Sequence, residues 1–202
     1  MSSSPTPGAA ALAEAVRTRG RIEGTLVKVD DFLNHRVDPT LMDLIGADIA
    51  GRWRADAIDD VVTAEASGIP PALAAARHLG VEMIYAKKYP RTTSDRPAFV
   101  REVASPTKGT EYRVEVARRV LQPRRRVLVV DDFLSGGRTA EALGEIVEEA
   151  GSIVAGFAFV IEKSFVAGRS RLEERGWSVD SLLLVESLDG VLRVTPTAGR
   201  TR

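Results

Sequence analysis

The apolar positions of this chain fall into two periodicities that alternate along its length. Short aliphatic runs at residues 25–29, 61–63, 81–86, 127–130 and 153–161 have the β-branched, continuous apolar content of buried strands. Between them the spacing changes to three and four, that of a helix with one buried face. The clearest case follows Asp38. That carboxylate is placed to cap, Pro39 suits the first helical position, and Leu41, Met42, Leu44, Ile45, Ile49 and Trp53 recur at helical spacing, so a helix is predicted to run to about Arg54. Further helices are predicted over residues 9–17, over 71–79 with a stop at Gly80, over 139–149 with a stop at Gly151, and over 169–175. Residues 181–185 and 191–194 suit a hairpin around Asp189 and Gly190.

Strands and helices in alternation, with strands apolar on both sides, imply an α/β architecture: a parallel sheet flanked by helices. Residues 25–194 would form that domain, preceded by a tail and short helix over 1–24 and followed by a tail over 195–202 that contains Arg200 and Arg202. The stretch 89–111 interrupts the pattern. It is rich in Arg, Thr, Ser, Pro and Lys with little periodicity, and is predicted to be a long mobile excursion, a β-arm that could close as a lid. In such sheets ligands bind beyond the carboxyl ends of the strands. The loops after Thr63, Ala86, Val130 and Ile161 are therefore candidates before any chemistry is considered.

Charge and composition narrow the possible partners. Lys plus Arg and Asp plus Glu are both 28 in 202 residues, so no net field favours nucleic acid or an anionic membrane, and any anion site must be local. The longest strongly apolar stretch, 153–161, is far short of the roughly 20 residues that span a bilayer. There is no cysteine, which removes disulfides, thiolate metal sites and cysteine nucleophiles and suits a reducing, cytoplasmic setting. Residues 1–8 are Ser/Pro-rich without the basic start of a secretory signal, and read as a frayed tail. Arg124, Arg125 and Arg126 read as a solvated strand entrance. His35 and His78 have no second ligand at metal spacing, and His78 reads as a helix-surface residue.

The strongest chemical signal is Val127-Leu128-Val129-Val130-Asp131-Asp132-Phe133-Leu134-Ser135-Gly136-Gly137-Arg138-Thr139, a buried strand ending in two acids and a glycine-rich turn into a helix. Glycines let backbone amides approach a phosphate, the helix N-terminus adds partial positive charge, and the Ser135 and Thr139 hydroxyls can donate further bonds. Asp131 and Asp132 are well placed to accept hydrogen bonds from vicinal ribose hydroxyls; spacing alone also allows them merely to finish the strand. No GxxxxGK[ST] occurs, which argues against an ATPase or GTPase, and no GxGxxG occurs either.

This stretch resembles the motif with which type I phosphoribosyltransferases bind phosphoribosyl pyrophosphate (PRPP). The segments Val27-Lys28-Val29-Asp30-Asp31-Phe32-Leu33-Asn34-His35, Glu65-Ala66-Ser67-Gly68-Ile69 and Val160-Ile161-Glu162-Lys163-Ser164-Phe165 resemble the bacterial xanthine branch of that family, and the likeness covers about residues 25–190. Two positions depart from it: many members have Thr or Asn where Gly136 stands, and Gly or Gln where Arg138 stands. Arg138 could add charge near the phosphate or point away.

The resemblance implies a type I fold with a small hood over the base, and PRPP and a purine base as substrates. It also implies Mg²⁺ carried mainly by PRPP rather than by direct protein ligands, and a homodimer. Ser135, Gly136, Gly137, Arg138 and Thr139 would hold the 5′-phosphate, with Asp131 and Asp132 catalytic. Ala66 and Ser67 would hold pyrophosphate in a loop where such proteins often have a cis peptide; the residues alone also allow a plain turn. Lys87 and Lys88 would neutralise pyrophosphate, in their own site or in that of a neighbouring subunit; the residues alone also allow ordinary solvated lysines.

Val27, Asn34 and Lys163 would form the purine pocket. Without the resemblance Asn34 reads as an Asx-turn residue, whereas the Lys163 ammonium can donate to O6 and N7 of a 6-oxopurine and is mismatched to the adenine amino group. The reaction expected is purine salvage: transfer of the phosphoribosyl group to a 6-oxopurine, foremost xanthine, through an oxocarbenium-like transition state. Two alternatives stand: an adenine phosphoribosyltransferase, and a PRPP-sensing regulator without catalysis. About two dozen residues before the first strand are too few for the latter's winged helix.

Overall fold

A computed structural model describes residues 4–90, 97–104, 111–188 and 192–200. The turn at Asp189 and Gly190, Arg202, and much of the expected arm (91–96 and 105–110) lie outside the described residues. Ten strands and five helices follow one another as α1 (Pro7–Arg19), β1 (Arg21–Glu23), β2 (Leu26–Lys28), α2 (Pro39–Trp53), β3 (Asp60–Ala64), α3 (Ile69–Leu79), β4 (Glu82–Pro90), β5 (Ala98–Ala104), β6 (Glu111–Ala117), β7 (Arg126–Leu134), α4 (Arg138–Glu149), β8 (Ile153–Lys163), α5 (Gly168–Glu173), β9 (Val179–Ser187) and β10 (Arg193–Pro196) among the described residues. Eight strands form one sheet in the order β10-β9-β8-β7-β3-β4-β6-β5, and β1 pairs with β2 as a small separate ribbon. The five central strands are parallel. Both edges are antiparallel: β10 on β9, and β5 and β6 on the end of β4.

The strands are apolar throughout because both faces of the sheet are covered. Along β7, Leu128 and Val130 enter the core under α1, α2 and α3, while Val127 and Val129 enter the core under α4. In β8, Ala158 and Val160 alternate in the same way with Phe157 and Phe159. Helix α2 begins as its sequence dictates, with the Asp38 carboxylate accepting from the Leu41 amide at 3.1 Å and Pro39 at its first position. Gly80 closes α3 in the left-handed conformation.

Several boundaries differ from the sequence expectation. β7 runs on through Asp131, Asp132 and Phe133 to Leu134 instead of stopping at Val130, because β8 continues beside it and pairs Phe133 with Ile161. β4 likewise extends through Lys87 and Lys88, paired by β6. The segments read as tails are packed. Thr6 and Thr197 both bond the guanidinium of Arg52, which is 3% exposed and also pairs with Asp48 and Asp180. Arg200 pairs with Asp56 and stacks on the Trp53 ring at 3.5 Å. Nor is the triple-arginine run simply solvated: Arg125 grips the buried Asp60 with two bonds, and Arg126 donates to the Asp56 carbonyl. The helix-surface histidine, His78, meets Asp43 at 2.9 Å.

Candidate active site

The carboxyl ends of the parallel strands open into a cleft of about 720 Å³. One end is walled by Ser135, Gly136, Gly137, Arg138 and Thr139, the other by Val27, Asn34 and Lys163, with Asp131 on the floor between them. The fold thus brings together most of the positions singled out in the sequence. Asp132, Ala66, Ser67, Lys87 and Lys88 do not line this cleft directly.

The two acids sit on the last turns of pleat in β7. The Asp132 amide donates to the Asp131 carboxylate at 3.0 Å. Burial pushes the Asp131 carboxyl well above the usual carboxylate range, the neighbouring Asp132 charge adds to the rise, and the Lys88 ammonium opposes it. Burial raises Asp132 as well, against hydrogen bonding with Asp131 and the charge of Lys88. Two crowded carboxyls held above their ordinary range are poised to gain a cation or hydroxyl donors.

Beyond Leu134 the chain turns through Ser135 and Gly136 to Gly137, whose φ of +73° only glycine adopts without strain. No side chain caps α4, so the amides of its first turn face the cleft uncapped by the protein. An uncapped helix head of this kind is suited to an anion. Arg138 reaches across to the Ala104 carbonyl of β5 at 3.1 Å instead of curling back over the loop, and the Thr139 hydroxyl meets the Tyr112 hydroxyl of β6 at 2.6 Å. The arm strands therefore rest on the head of α4.

The loop after β3 stands against the acid pair. Its Glu65–Ala66 peptide is cis. A Cβ on Gly68 would lie 2.2 Å from the Thr63 hydroxyl and 2.3 Å from the Asp131 carboxylate, so glycine is required there by contact alone. Ser67 is partly exposed and Ala66 exposed beside it. The Glu65 carboxylate accepts from the Lys88 amide at 2.7 Å and fixes the adjoining strand end. There the two lysines part: Lys88 extends over the Tyr112 ring, 5.7 Å from its centre, on the side of the acids, while Lys87 joins Met83, Tyr85 and Tyr89 on the other face of β4.

At the far end of the cleft the Lys163 ammonium donates to the Thr25 carbonyl at 2.9 Å, and burial lowers its pKa. Asn34 closes a π-helical turn, Asp30–Asn34, that follows β2, and its side-chain oxygen is buried with no hydrogen-bond partner. Val27 borders it from β2.

An uncapped helix head, one member of a crowded carboxyl pair and a desolvated lysine thus share one cleft at the carboxyl ends of the strands. Residues 44–184 match the family described as the phosphoribosyl transferase domain. The chain belongs to that family. Curated relatives named xanthine phosphoribosyltransferase include one from Stutzerimonas stutzeri, 44% identical over 90% of this chain and 97% of that protein. Another, from Pseudomonas aeruginosa, is 43% identical over 89% of this chain and 95% of that protein. Among solved structures, adenine phosphoribosyltransferase from Rhodothermus marinus superposes with a TM-score of 0.70 at 26% identity, covering 86% of this chain and 97% of that one. The Saccharomyces cerevisiae enzyme of the same name gives 0.70 at 23% identity over 86% and 98%, a likeness of fold.

Some residues of this phosphoribosyltransferase cleft were not singled out from sequence. Tyr112, Phe133 and Phe165 all line it, and Phe165 is 52% exposed there. The one signal available for Phe165 was its place two residues after Lys163, beyond the carboxyl end of a parallel strand where such sheets bind ligands. Arg171 carried no such signal: it bonds the Gly136 carbonyl across 35 residues.

Proposed function

We propose that this phosphoribosyltransferase joins a 6-oxopurine, xanthine foremost, to the ribose of PRPP. A purine ring nitrogen forms the bond to C1 as the bond from C1 to pyrophosphate breaks. The observation that carries the choice of base is the pairing of Lys163 with Asn34. A 6-oxopurine offers an oxygen to the ammonium and a ring N–H to the buried, unpartnered Asn34 oxygen, whereas adenine presents an amino donor and a ring acceptor, the reverse pattern. The relatives at 43–44% identity, named for xanthine, support the same reading over the more distant adenine structures.

In this reading the amides of Ser135 to Thr139 hold the 5′-phosphate, and Asp131 and Asp132 accept from the ribose hydroxyls and favour positive charge at C1. Ala66, Ser67 and Lys88 receive pyrophosphate. Phe165 and Phe133 supply apolar surface for the flat base. Among the described residues no group of three or more His, Cys, Asp or Glu is placed to hold a metal, and two carboxylates suit a Mg²⁺ that arrives with the oxygens of PRPP. Held there, Mg²⁺ would supply charge neutralisation for the pyrophosphate group.

We assign Lys87 to a different task, in a homodimer formed through the outer face of β4, where Tyr85, Tyr89 and Val120 are 45%, 37% and 39% exposed. No helix among the described residues is long and apolar enough to cross a membrane, and the cysteine-free sequence suits the cytoplasm.

The test is nucleotide formation from xanthine, guanine, hypoxanthine and adenine with Mg²⁺ and PRPP in parallel. Xanthine is expected to lead, and Lys163→Ala to lose about 10- to 100-fold in kcat/KM for it, the value of a charged hydrogen bond. Turnover of adenine alone would overturn the base assignment. PRPP binding without turnover of any base would favour a sensor.

A further inference from the structure

The anion loop is held from behind by a helix that no part of the proposed chemistry requires. Helix α5 starts at Gly168, and a Cβ there would lie 1.9 Å from the Ser135 carbonyl oxygen; from the other side, a Cβ on Gly137 would lie 3.0 Å from the Gly168 carbonyl. Two backbones are thus in direct contact. One turn later Arg171 donates through Nε to the Gly136 carbonyl at 2.9 Å and through Nη1 to Glu141, in the first turn of α4, at 3.0 Å. The opposite side of α5 is anchored by Arg169, which makes two bonds, of 2.8 and 2.6 Å, to the buried Glu162 carboxylate that immediately precedes Lys163. The Ser181 hydroxyl also donates to Glu162.

We propose that Arg171 is a positioning residue for the 5′-phosphate, acting through the loop and not by touching substrate. A guanidinium on the Gly136 carbonyl withdraws charge from the peptide that ends in the Gly137 N–H. That polarisation makes the amide a stronger donor to an anion. It also fixes the peptide plane, so that the left-handed turn at Gly137 exists before ligand arrives. The ion pair with Glu141 is half exposed and contributes little by itself. What matters is that one side chain ties the carbonyl of the loop to the helix whose head completes the site. Arg175, one turn further on, pairs with Glu145 at 2.8 Å and Glu148 and shares Glu141 at 3.5 Å, whereas the bond to the Gly136 carbonyl belongs to Arg171, which makes Arg175 a control for the ion pairs on the same surface.

The inference rests on the phosphate reading of residues 135–139. The decisive probe is ribose 5-phosphate, which carries the phosphate and no pyrophosphate, measured by calorimetry beside steady-state kinetics. Arg171→Met keeps the stem and removes the donors. It is expected to weaken ribose 5-phosphate binding and raise the KM for PRPP by about tenfold, one net charged hydrogen bond, with kcat at saturating PRPP and the KM for xanthine within about twofold. Arg171→Lys should recover part of the loss, and Arg175→Ala should match the wild type.

An unchanged KM for PRPP in Arg171→Met overturns the inference, as does an equal loss in Arg175→Ala. So does a fall in kcat with no change in ribose 5-phosphate binding. If Arg171→Met melts too early to assay, the Lys variant decides: recovery of fold without any phosphate defect counts against the proposal. A wild-type protein that binds neither PRPP nor ribose 5-phosphate would overturn the phosphate reading itself.

Discussion

At the scale of single residues the site is governed by one crowded pair. Asp131 and Asp132 are both raised, so the folded protein without ligand keeps their protons at pH values where an unfolded chain has lost them. Their contribution to folding stability is therefore present below the ordinary carboxylate range and lost as the pH climbs through the raised folded values. Under the proposed function activity runs the other way, because the ionised pair is the stronger acceptor for ribose hydroxyls and the form that favours positive charge at C1. The kcat/KM for PRPP is expected to fall on acidification at a pH above the usual carboxylate range. In Lys88→Gln, which removes the opposing ammonium, that limb should move to higher pH; a limb that stays or moves down would remove Lys88 from the site. Asp131→Asn should melt higher than the wild type at neutral pH while losing about 10- to 100-fold in transfer, the value of one charged hydrogen bond. The acids were legible in sequence because strand, acids and glycines are contiguous. The opposite facing of Lys87 and Lys88 was not, since it follows from a strand that only β6 makes long enough to include them.

Among elements, the relation of the arm to α4 stands out. Arg101 of β5 bonds Glu145 at 2.8 Å and Glu149 at 2.7 Å, and its guanidinium holds Glu149 below the usual carboxylate range. With the Tyr112–Thr139 and Arg138–Ala104 contacts, this sets β5 and β6 along the full helix, from its first turn to its last. Arg101→Ala is expected to speed amide exchange in β5 markedly while lowering global stability by only about 1 kcal/mol or less, the worth of partly exposed ion pairs. Uniform protection across both proteins would show that the ladder to β6 suffices.

The sequence marked residues 89–111 as an excursion from their lack of periodicity, yet β5 has a clear inward pair, Phe99 and Val103. Charged neighbours facing α4 masked that alternation. Helix α5 was visible as a helix and opaque as a support, because its purpose depends on Gly168 meeting Ser135, a contact no local pattern encodes.

For the molecule as a whole, the feature least legible in the sequence is Arg52. It reads as one more polar position on α2, but its guanidinium is enclosed by Asp48, Asp180, Thr6 and Thr197. Burial raises the Asp180 carboxyl against the pull of Arg52, so the cation is what keeps that charge inside. Arg52→Ala would leave two buried carboxylates uncompensated and is expected to cost about 3–5 kcal/mol in denaturant unfolding. A loss under about 1 kcal/mol would mean that water enters the cluster. The general fold was readable because a two-sided parallel sheet leaves an unmistakable run of aliphatics; the packing of both ends was not, because it depends on a single long-range polar hub.

That hub has a consequence for chain connectivity. Since Thr6 and Thr197 grasp the same guanidinium, the two ends of the described fold lie side by side, and a short flexible linker could join them without strain. The turn at Gly80, exposed and with open space where a side chain would go, enters β4 at the end of the sheet away from the cleft. A circularly permuted chain opened there would keep every strand-end loop of the site intact, with the order of the sequence changed and the order of the sheet preserved.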